Sequence, residues 1–102
     1  MENFIFWTYL LNIHHIYCGG HMISEKTKEI VWDKAKPIRR QNPDTWRRDS
    51  EGNKIKWGSY GTQGEYGWEI DHKHPVSKGG SDANKNLQPL HWKENREKGN
   101  KI

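Results

Sequence analysis

Cysteine is almost missing from this chain: Cys18 is the only one in 102 residues. A single thiol excludes an internal disulfide. It also excludes zinc sites made of four cysteines, or of a cysteine pair with a histidine pair. A chain without a disulfide framework is most simply placed in a reducing compartment, so a cytoplasmic location is expected. Long apolar runs are missing too. The one apolar stretch, Phe4 to Tyr17, is interrupted by Thr8, Asn12, His14 and His15. A membrane helix needs about twenty apolar residues. A signal peptide carries positive charge ahead of its apolar run, and here Glu2 stands instead. No targeting segment and no membrane partner are expected. Only 31% of the residues are apolar and the mean hydropathy is −1.18, so the core must be thin. Burial alone stabilises a chain of this size marginally.

Aromatic residues and positive charge are what the chain does have. Six tryptophans can each bury a large area while keeping one polar handle. Seventeen Lys and Arg face thirteen Asp and Glu, giving a net charge of +4. A basic excess suits a polyanion, because phosphates dominate nucleic-acid affinity. Many basic domains bind nothing specific, so the motifs must carry the rest.

The length allows one small domain. Composition shifts at Gly19-Gly20, which sets residues 1–21 apart as an N-terminal segment, disordered or loosely docked by default. Residues 22–102 are the expected functional domain. Ser24 can cap a helix that runs to about Lys36, where Pro37 stops it. Thr45 to Asp49 and Lys54 to Trp57 read as a β-hairpin around Ser50-Glu51-Gly52-Asn53, with Trp46, Ile55 and Trp57 inward. Trp68 to His72 reads as a strand and Ser77 to Asp82 as a loop. Asn86 to Leu90 reads as a second strand, kept short or at an edge by Pro89. Trp92 to Lys98 reads as a helix with Gly99 as its C-terminal stop.

The chemistry concentrates between Gly67 and Asn100. Asp71-His72, Asn86 and Asn95 stand there in one compact segment. An imidazole beside a carboxylate, with a carboxamide returning after a Gly-rich turn, can form a one-metal hydrolytic site. A carboxylate and a carboxamide oxygen are hard ligands that suit Mg²⁺ or Mn²⁺. The imidazole, mostly neutral at pH 7, can take a proton from water. One tension stands. Asp71 and His72 are neighbours on a strand, and regular alternation sends their side chains to opposite faces.

The order Asp71-His72-x-x-Pro75, Ser77-x-Gly79-Gly80, Asn86-Leu87-Gln88 and Asn95-Arg96-x-Lys98 resembles the HNH endonuclease family. The final family histidine is Asn95 here, as in the His-Asn-Asn variant. The resemblance covers about a third of the chain, with its motif core over residues 67–100. It implies an α+β fold: a small ββα-metal (His-Me finger) core, to which the sequence adds an N-terminal helix and a β-hairpin. It implies His72 as general base, Asp71 and Asn95 as metal ligands, and Asn86 as the catalytic-site residue that braces the ribbon and holds the base. One divalent metal is implied, Mg²⁺ first, with Mn²⁺ or another divalent ion as alternatives. The implied activity is hydrolysis of DNA phosphodiester bonds. Arg47, Arg48, Lys93 and Arg96 are the expected backbone contacts. Double-strand cleavage by such a site needs a homodimer or two sequential nicks. Two rival readings are a nucleic-acid-binding module that has lost activity, and a toxin nuclease held by an immunity protein. His91 is expected in a structural role beside Trp92, and Trp57, Trp68 and Trp92 in the core.

Overall fold

The structure is a computed structural model that describes residues 17–18 and 21–101, with side chains from residue 23 to residue 99. The expectation for residues 1–21 therefore lies largely outside the described residues. At its edge, β1 (Tyr17–Cys18) pairs antiparallel with β2 (His21–Met22).

Helix α1 spans Glu25–Trp32. Ser24, in extended conformation, accepts the Thr27 N–H at 3.1 Å and satisfies one of the orphan donors of the first turn. The helix stops four residues before the expected end at Lys36. The reason is a strand that the sequence reading lacked. β3 (Lys36–Pro37) pairs with β4 (Trp46–Arg48), and β4 pairs with β5 (Lys54–Lys56). Residues that join a ladder cannot also continue a helix. The β4–β5 hairpin forms as expected, with register Arg47↔Ile55. Its turn is held by the buried Asp49. One carboxylate oxygen accepts the N–H groups of Glu51 and Asn53, and the other accepts the His91 N–H at 2.8 Å. Ile55 is fully buried, whereas Trp46 and Trp57 are half-buried and Trp57 begins a 3-10 turn.

The centre of the molecule is a two-stranded antiparallel ribbon, β6 (Trp68–His72) with β7 (Leu87–His91), followed directly by helix α2 (Trp92–Lys101). Cross-strand partners share a face, so the register assigns the faces. Trp68, Ile70 and Leu87 lie on one side and pack with Val31, Trp32 and Ala35 from α1 and its exit. Ring contacts tie this side together: Trp32–Trp68 at 5.2 Å and Tyr60–Trp68 at 4.8 Å. Glu69, Asp71, Gln88 and Leu90 lie on the other side, under α2. The ribbon is thus sandwiched between the two helices. Pro89, opposite Ile70, is tolerated because each strand of a two-stranded ribbon is an edge.

Two expectations about glycine fare differently. Gly99 does not stop α2, which runs through it to Lys101. It does not adopt a positive φ, and a Cβ there would meet nothing within 4 Å. It is an ordinary helical position at a propensity cost of about 1 kcal/mol relative to alanine. The Gly79-Gly80 pair is required by shape. Gly79 has φ 94°, and a Cβ on Gly80 would stand 1.8 Å from the His74 carbonyl oxygen.

Candidate active site

Consecutive residues Ile70, Asp71 and His72 line one recess of about 250 Å³, together with Pro75, Val76, Asn95, Lys98 and Gly99. A flat strand would divide the first three between two faces. The recess escapes this by wrapping the end of β6, where the chain turns away through Pro75. Asp71, His72 and Asn95 are therefore brought together, and the alternation problem is met by position at the strand terminus.

Asp71 is 8% exposed on the α2 side of the ribbon. A buried carboxylate needs donors. Gln88 Nε2 donates to it at 2.9 Å and Lys98 Nζ at 2.5 Å, both to Oδ2. Lys98 Nζ also donates to the His72 carbonyl at 2.8 Å. Asn95 is held by its nitrogen: Nδ2 donates to Glu69 Oε1 at 2.7 Å. The carboxamide oxygen is then the end turned away from Glu69. Arg96 completes the Glu69 environment with two bonds, at 2.8 Å and 2.9 Å, one to each carboxylate oxygen. Glu69 is 2% exposed, so this bidentate pair offsets the desolvation of a deeply buried charge.

His72 Nε2 lies 2.8 Å from Asp82 Oδ1. A carboxylate accepts, which assigns the hydrogen to Nε2 and, in the neutral ring, the lone pair to Nδ1. Asn86 uses its whole side chain on the loop between the strands. Its Oδ1 accepts the His74 N–H at 2.9 Å, and its Nδ2 donates to the carbonyls of His74 and Ser81 at 3.0 Å and 2.7 Å. Its carbonyl accepts the Lys73 N–H at 2.7 Å. One side chain thus closes the Gly-rich loop against the end of β6, next to the imidazole.

The basic residues separate into two kinds. Arg47 was expected on a phosphate, but its guanidinium is spent on the exit of α1. It donates to the carbonyls of Trp32, Asp33, Ala35 and Pro43, and covers the orphan acceptors of the helix end. Arg96 is likewise engaged by Glu69. Arg48, which donates to the Gly52 carbonyl at 3.0 Å, and Lys93, beside the Trp92 ring, are exposed. His91 is structural as expected. Nδ1 accepts the Lys93 N–H at 3.1 Å and Nε2 faces the Glu65 carbonyl at 2.7 Å, so both ring nitrogens are occupied. Asp82, Glu69, Gln88 and Lys98 were not singled out from the sequence. Gln88 and Lys98 carried a signal, as the last residues of the Asn-Leu-Gln and Asn-Arg-x-Lys motifs.

Among the described residues no group of three or more His, Cys, Asp or Glu converges as a metal cage. The recess is instead lined by one carboxylate, Asp71, and one carboxamide, Asn95. That set fits Mg²⁺, which keeps several waters and uses few protein ligands beside substrate phosphates.

No helix among the described residues is long and apolar enough to cross a membrane. No curated protein and no solved structure matches the chain. The model of one family, described as HNH endonuclease, matches residues 52–101. That span contains the second strand of the hairpin, the ribbon, the Gly-rich loop and α2. By this match, residues 52–101 are a domain of the HNH endonuclease family.

Proposed function

We propose that the chain is a metal-dependent endonuclease that hydrolyses DNA phosphodiester bonds. The observation that supports this most is the shared recess: a carboxylate, an imidazole and a carboxamide open into one pocket at the end of β6. In this reading His72 is the general base. Asp82 holds its Nε2–H, and Nδ1 takes the proton from an attacking water. The water oxygen bonds to phosphorus, the bond to the 3′-oxygen breaks, and the departing oxygen is protonated from solvent. Asp71 and Asn95 would hold the divalent cation, with Glu69 orienting the Asn95 carboxamide. A bound divalent cation supplies charge neutralisation at the phosphate and at the departing oxygen. Asn86 keeps the loop, and hence the imidazole, in place. Arg48 and Lys93 would meet the nucleic-acid backbone.

One observation favours a second reading, a nucleic-acid-binding module without turnover. The Lys98 ammonium already complements the Asp71 carboxylate and competes with a cation for it. Nicking of supercoiled plasmid by the purified chain decides between the two. Nicking with Mg²⁺ that stops in EDTA supports the enzyme. Binding without metal-dependent nicking supports the module.

A further inference from the structure

A second recess, of about 330 Å³, is separate from the catalytic pocket, and all of its lining residues except Gly52 precede the family match. Three cations line it: Lys34 just after α1, Lys36 on β3 and Arg48 on β4. The one anion in its wall, Asp49, is turned inward at 4% exposure and is occupied by four N–H donors. Neither Lys36 nor Arg48 has an ion-pair partner among the described residues. Lys34 is held in place by the carbonyls of Asn84 and Leu87. Burial, and then the charge of Lys73, push its ammonium below the usual lysine range. An uncompensated group of cations in a concave site is complementary to an anion.

Position relative to the catalytic pocket identifies the anion. Ser50 also lines this recess, and its Oγ lies 3.3 Å from Gln88 Oε1. Gln88 Nε2 donates to Asp71. A single carboxamide therefore spans the distance between the basic recess and the proposed metal ligand. A nucleic-acid strand carries a phosphate about every 3.4 Å of helix axis. Two sites this close are served by phosphates a few nucleotides apart on one strand. We propose that the Lys34–Lys36–Arg48 recess binds a backbone phosphodiester of the same strand whose scissile phosphate reaches Asp71 and His72. This rests on the nuclease reading for its orientation, while the recess itself is a sequence-independent anchor.

The test is equilibrium binding of a short DNA duplex in EDTA, followed over a range of salt concentrations. It needs no turnover, so it fails or succeeds independently of plasmid nicking. Each phosphate contact contributes about −0.9 to the slope of log K against log salt. Lys36→Gln/Arg48→Gln is expected to make the slope shallower by about 0.9, the contribution of the one phosphate held by the recess, and to weaken binding. Lys36→Arg/Arg48→Lys, which keeps both charges, is expected to retain the wild-type slope. Lys26→Gln/Lys56→Gln removes two exposed charges elsewhere and is expected to change the slope by less than half as much. A wild-type slope in the first variant overturns the proposal. So does an equal loss in the Lys26/Lys56 control, or loss of folding by circular dichroism in the first variant but not in its charge-keeping counterpart.

Discussion

The two faces of β6 do opposite work with equal burial. Trp68 and Ile70 are 0% and 8% exposed on one face, and Glu69 and Asp71 are 2% and 8% exposed on the other. On the first face burial is favourable in itself, at roughly 25 cal/mol per Å² of apolar area. On the second face burial is costly and must be offset residue by residue. Arg96 and Asn95 offset it for Glu69, and Lys98 and Gln88 for Asp71. Every one of those donors except Gln88 comes from α2. The apolar face thus fixes where the ribbon lies, and the acidic face fixes how α2 sits on it. Asn95 reaches the recess as a consequence.

One mutation on each face separates the two kinds of burial. Trp68→Ala is expected to cost about 3–5 kcal/mol of stability, the range for a buried aromatic. Asp71→Asn is expected to cost on the order of 1 kcal/mol, because Lys98 is partly exposed and can turn to water. The same variant should weaken divalent-metal binding by more than about tenfold, the size typical of losing even an outer-shell partner. Urea denaturation and metal titration measure the two. Equal destabilisation by both variants would mean that the acidic face is a second core rather than a site.

A smaller effect sharpens the role of the donor on Asp71. Lys98→Met removes a cation that competes for the carboxylate. Binding of Mn²⁺, followed by electron paramagnetic resonance, is expected to tighten by at least about threefold. Weaker Mn²⁺ binding would instead make Lys98 part of the support for the metal site.

The smallest effect lies at the edge of the ribbon, where Lys34 binds the Leu87 carbonyl. Its proton affinity is lower in the folded chain than in the unfolded one, through burial first and Lys73 second. Between the lowered value and the ordinary 10.5 the unfolded state binds more protons. Stability therefore gains from this group as pH rises through that window, and the protonated group is unfavourable below it. Denaturant midpoints at pH 7 and pH 10 should show a slightly smaller alkaline gain in Lys34→Met than in wild type. Identical pH dependence would remove Lys34 from this role.

The ribbon, the loop and α2 were readable in the chain because their signals are local. The alternation Trp68-Glu69-Ile70-Asp71, the Gly79-Gly80 turn and Pro89 each act on neighbouring residues. What could not be read depends on meetings between distant segments. Arg47 looks like a phosphate contact until the exit of α1, some fifteen residues earlier, is placed beneath it. Lys98 looks like a solvated helix residue until α2 docks on Asp71. Asp82 sits in a loop defined by composition, and only the Asn86 clamp brings it to the imidazole. Gly99 misled for a different reason. Its usual role as a stop needs a left-handed conformation, and the helix does not adopt one there.

In the proposed reaction His72 takes a proton from water beside a metal that Asp71 and Asn95 would hold. The most direct measurement is the rate of plasmid nicking by His72→Ala in saturating Mg²⁺, against wild type. A loss of at least about 10²-fold is expected, the usual contribution of a general base. A rate near that of wild type would contradict it.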